Sequence, residues 1–135
     1  MNDDELANLY LKTLVSIEEN GVLIQASDTF LLKGATFHVI TAWNPGDERP
    51  SHAENDAANE RLHGVLVGKG LTPRRALGAD PDSGHFEESW AVKGIDDQEA
   101  KAIGAEFGQV AMFRLSTGTQ TVMACTDDWS LSRPL

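Results

Sequence analysis

Apolar residues at Leu6, Leu9, Tyr10, Leu14 and Ile17 recur at the spacing of one helix face. Asn2 with Glu5 three residues on can cap the start, and Asn20-Gly21 offers a left-handed stop, so a first helix of about four turns is expected. Short apolar pieces follow at 22–24 and 29–32, read as irregular or short edge strands. Residues 37–43, Phe-His-Val-Ile-Thr-Ala-Trp, are nearly continuous in hydrophobicity and rich in β-branched and aromatic types. That composition predicts a central strand covered on both faces.

The chain then turns through Asn44-Pro45-Gly46 and re-enters structure at Ser51, with Glu54 at the capping-box spacing. A helix from about His52 to Gly68 or Gly70 buries Ala58, Leu62, Val65 and Leu66 on one arc. Asn55 and Asn59 project onto that same arc. An inward amide without a partner costs about 1 to 3 kcal/mol, so each must find one. Either the asparagines stitch the preceding turn to the helix, or they face a ligand.

Residues 74–79 and 86–92 flank Asp80-Pro81-Asp82-Ser83-Gly84, a dense set of turn formers, and predict a β-hairpin. Asp96 with Glu99 starts a third helix whose inner face carries Ala100, Ile103 and Phe107 and which Gly108 ends. Strands at 109–115 and 119–125 meet at Ser116-Thr117-Gly118, and residues 126–135 form a tail across the core. The fold class is α+β: one domain over 1–135, with a mixed, mainly antiparallel sheet of about five strands and three helices packed on it.

With 135 residues and 41% hydrophobic composition the chain can bury an ordinary core. Its formal net charge of -10 repels phosphate backbones, which excludes general nucleic-acid binding and leaves a basic protein as the partner such a surface suits. A lone cysteine, Cys125, makes no disulfide framework. With an acidic start and no apolar run near 20 residues, no membrane association and a cytoplasmic location are expected.

The four histidines, His38, His52, His63 and His85, show no i, i+4 pair, and phosphate-loop and nucleophile-elbow motifs are absent, so neither metal nor cofactor is expected. His85 and Glu87 can share a strand face as a weak pair. Of Glu87 and Glu88, one must point to a covered face or rim. The candidate ligand-binding set is Trp43, Asn44, Ser51, Asn55, Asn59, Glu88 and Gln109, a polar pocket for a small polar ligand at the 41–59 junction. The alternative is an acidic regulatory or protein-binding module in which the asparagines are structural.

Several blocks are also familiar together: Ile40-Thr41-Ala42-Trp43-Asn44-Pro45, then Ser51, Glu54-Asn55 and Asn59, then Asp80-Pro81, Glu87-Glu88-Ser89-Trp90, and Phe107-Gly108-Gln109 with Ala111 and Phe113. Over about residues 36–115 the chain resembles a family of small bacterial proteins catalogued as a domain of unknown function. The resemblance implies no activity and transfers no catalytic residue.

Overall fold

In the computed structural model, which describes residues 2–135, the Asn2 side chain accepts from the Glu5 amide and opens helix α1 (Asp3–Leu11). The helix is shorter than its apolar spacing predicts. Leu14 and Ile17 belong instead to strand β1 (Leu14–Glu19), where Val15 and Ile17 point to one side at period two. Asn20 and Gly21, both at positive φ, are the two-residue turn into β2 (Val22–Gln25) rather than a helix stop. Residues 29–32 are not a strand. They belong to a turn-rich segment that drops Leu32 into the core.

Strand β3 (Phe37–Ile40) is buried at all four positions, as a central strand should be. Helix α2 (His52–Gly68) starts on a complete capping box at Ser51 and Glu54 and buries Asn55, Asn59, Leu62 and Leu66. Strands β4 (Arg74–Ala79) and β5 (Phe86–Val92) form the expected hairpin. Helix α3 (Asp97–Glu106) is capped by Asp96, and β6 (Ala111–Ser116) and β7 (Thr119–Ala124) follow as a hairpin. The tail is not draped over the core: it supplies β8 (Ser130–Pro134), paired with β7.

The sheet therefore has eight strands, not five, and every pairing is antiparallel rather than mixed, in the order β2-β1-β4-β5-β3-β6-β7-β8. It curls into a trough. Its outer face carries Ile40, Val92, Met112 and Met123 beneath Leu62 and Leu66 of α2 and Ala100 and Ile103 of α3. Its inner face packs Val15, Ile17, Val39, Ala76, Ala91 and Leu115 against Leu32 and Leu135. Burying apolar side chains on both faces is what holds so long a sheet in one curl.

One end of the trough is closed by the 26–36 segment, whose Leu32 carbonyl accepts from the Thr117 hydroxyl in the β6–β7 turn. Across the inner face lies α1, with Tyr10 and Leu11 against Ala111, Val122 and Leu131. The carbonyls at its end and just beyond it are taken by remote groups: Arg133 Nε donates to Leu11 O at 2.7 Å, and Arg133 Nη2 and Gln120 Nε2 donate to Thr13 O at 3.0 and 2.9 Å. Orphan carbonyls at a helix C-terminus favour such cationic partners.

Candidate functional site

The other end of the trough stays open, and a cavity of about 390 Å³ lies in its mouth. Leu9 and Tyr10 of α1 form one wall, Asp80, Ser83 and His85 of the β4–β5 loop another, and Glu87, Ser89 and Thr41 rise from the sheet. Asn44, Arg49 and Gln109 come from the loops beside the ends of β3 and α3. Lys12, just after α1, ties that wall to the β4–β5 loop through Asp82 at 2.9 Å. The mouth of a curled sheet is where side chains run out and a pocket can form.

At the junction after β3, Asn44 takes a φ of 48°, a left-handed conformation that asparagine tolerates better than most residues. Asn55 holds it there with two bonds, accepting from the Asn44 amide at 3.0 Å and donating to Asn44 Oδ1 at 3.0 Å. Thus oriented, Asn44 Nδ2 donates to Glu87 Oε2 at 2.9 Å, and His85 Nε2 stands 3.6 Å from the same oxygen. A helix residue only 4% exposed thereby sets the orientation of a carboxylate on the cavity wall. One turn along, Asn59 Oδ1 accepts from Ala42 N at 3.4 Å, and its carbonyl accepts from Trp90 Nε1 at 2.8 Å.

The other side of the junction is fixed by α3. Gln109 Nε2 donates to Trp43 O at 3.0 Å, and Gly46 N donates to Gly108 O at 3.0 Å. Gly108 has a φ of 71°, and a Cβ there would stand 2.8 Å from Pro45 Cβ, so glycine is required twice over.

Of the residues singled out from sequence, Asn44 and Gln109 line the cavity. Asn55 and Asn59 lie behind Asn44, bonded to backbone and side chain of residues 42–44. Ser51 is spent on the α2 cap. Trp43, 4% exposed, is wedged between His52 and Phe86, with ring centroids at 5.0 and 5.8 Å. Glu88 points to the other face of the sheet, 3.9 Å from Arg75. Glu87, its neighbour, is the residue that reaches the cavity, together with Tyr10, Arg49 and His85. Sequence offered one signal for it, the shared parity of His85 and Glu87.

The Tyr10 hydroxyl is pushed above its ordinary pKa by burial and then by the Glu87 carboxylate, with Arg49 pulling the other way, so it stays a neutral donor and acceptor. Arg49 Nη1 donates to the Glu48 carbonyl at 2.8 Å, and among the described residues the guanidinium makes no ion pair within 4.0 Å. Cys125 is not among the residues that line the cavity: burial pushes its thiol up to about 11, which leaves it protonated and weakly nucleophilic at neutral pH.

Fold and cavity together define a single-domain α+β protein built on a curled antiparallel sheet with a polar cavity at its mouth. The chain belongs to the family described as Protein of unknown function (DUF3293), which matches residues 40–112. No curated protein and no solved structure matches it. The matched span contains Asn44, Arg49, Asn55, Glu87 and Gln109, while Tyr10 lies outside it.

Proposed function

We propose that this protein is a cytoplasmic small-molecule-binding domain whose site is the cavity at the mouth of the trough. Asn44, Glu87 and Gln109 would meet a polar ligand, with Tyr10 and Arg49 facing them. Asn55, Asn59 and Ser51 hold the 41–59 junction in shape, and Trp43 backs it as an apolar wall. Glu88, whose carbonyl accepts from the Thr41 hydroxyl at 2.6 Å, keeps β5 against the end of β3. The observation that carries this reading is the run from Asn55 through Asn44 to Glu87, which aims a carboxylate at a cavity instead of neutralising it. A lone, unpaired Cys125 fits a reducing compartment.

The test is thermal melting of the wild type against a metabolite library, repeated on Ser89→Leu, which fills the cavity floor. A ligand present at about 100 times its Kd adds roughly 2.7 kcal/mol and raises the melting temperature by several degrees. That rise is expected in the wild type and absent in the variant. Flat wild-type curves across the library would overturn the proposal and favour an acidic interaction module that meets a basic protein.

A further inference from the structure

Two opposite charges line this cavity without meeting. Glu87 has one carboxylate oxygen on the neutral Asn44 amide, and within 4.0 Å its only basic partner among the described residues is His85. Among the described residues Arg49 has only its neighbour's carbonyl. Asp80, the other carboxylate of the lining, is already occupied: it accepts from Asp82 N at 2.9 Å and Ser83 Oγ at 3.1 Å, and stands 3.9 Å from Lys12. Glu87 is thus the carboxylate left open. Tyr10 lines the same cavity as Glu87 and Arg49 and brings a neutral hydroxyl to it.

A neutral ligand filling this space would strip water from Glu87 and from the cavity side of the exposed Arg49 and return nothing to either. A purely anionic ligand would meet Glu87 and Asp80, and a purely cationic one would cover Arg49. We infer that the cavity takes a small zwitterion of the amino-acid type, its ammonium group on the Glu87 carboxylate and its acid group on the Arg49 guanidinium. Charge-assisted hydrogen bonds at both ends supply the selectivity, and Tyr10 on the same cavity wall adds a neutral hydroxyl. The inference rests on the cavity being the binding site.

The experiment is titration of 15N-labelled protein with the twenty L-amino acids, the amines that they give on decarboxylation, and their N-acetyl forms, followed at the Asn44 and Gln109 amides. At least one amino acid should bind about tenfold or more tightly than its amine and its N-acetyl form, one charge pair being worth a factor of that order. In Glu87→Gln, which keeps an acceptor for Asn44, the preference over the N-acetyl form should vanish. In Arg49→Gln the preference over the amine should vanish. Amines or N-acetyl forms binding as well as the amino acids, or amino-acid binding unchanged in both variants, would overturn the zwitterion and leave the cavity reading intact. No response from any compound here, with flat melting against the wider library, would remove both.

Discussion

Asn44 and Asn55 form a closed pair of amides in which each satisfies the other and one hand is left over for Glu87. Asn55→Leu would bury a larger apolar group but strand the Asn44 amide and Oδ1, at about 2 kcal/mol or more. A lower urea midpoint at unchanged m is the expected result, and a stability equal to or above wild type would contradict it. A second residue-scale prediction concerns Asp97. Burial pushes its carboxyl up, but the hydrogen bond from His38 Nε2 at 2.8 Å and the charge of Arg114 outweigh burial and hold it below the usual carboxylate range. A carboxyl lowered on folding adds stability above its unfolded pKa and loses it as pH falls towards the folded one. Melting temperature should therefore drop more steeply below about pH 4 in the wild type than in Asp97→Asn, and parallel curves would refute the assignment. The inward amides were legible at this scale, because a capped helix start fixes its own phase. Which of Glu87 and Glu88 faces the cavity was not: both faces of β5 are covered, and a one-residue shift exchanges them.

Helix starts were legible because their signals are local. Asn2, Ser51 and Asp96 each accept from the amide three residues on. The end of α1 is written elsewhere. Arg133 and Gln120, more than 100 residues away in the chain, take the carbonyls at its end and just beyond it, and nothing near Leu11 announces this. Helical and strand periods also overlap at Leu14 and Ile17, so the same residues satisfied both templates until pairing with β4 decided. Arg133→Ala should cost about 2 kcal/mol, the loss of charged donors to part-buried carbonyls. Because α1 carries Tyr10, the same variant should weaken any ligand found for the cavity; unchanged unfolding and unchanged binding together would show that α1 is held by apolar packing alone.

At the scale of the whole molecule, class and hairpins were readable but closure was not. Strand β8 has one aliphatic residue, Leu131, and alternates Ser-Leu-Ser-Arg-Pro too weakly to stand out from a tail. Its place depends on Val122 across the ladder and on α1 above it. The curl likewise requires Leu135 and Ala26, from near opposite ends of the chain, to share one cluster with Val39.

The cavity is built across a boundary in the sequence. The family match supplies the guanidinium, the carboxylate and the amides that steer that carboxylate, whereas the phenol of the same lining arrives on a helix from outside the match. A relative could exchange that helix for another and keep its charged anchors in register. Grafting a foreign first helix onto residues 40–112 and their strands would thus change one wall of the proposed site while leaving the carboxylate and the guanidinium in place.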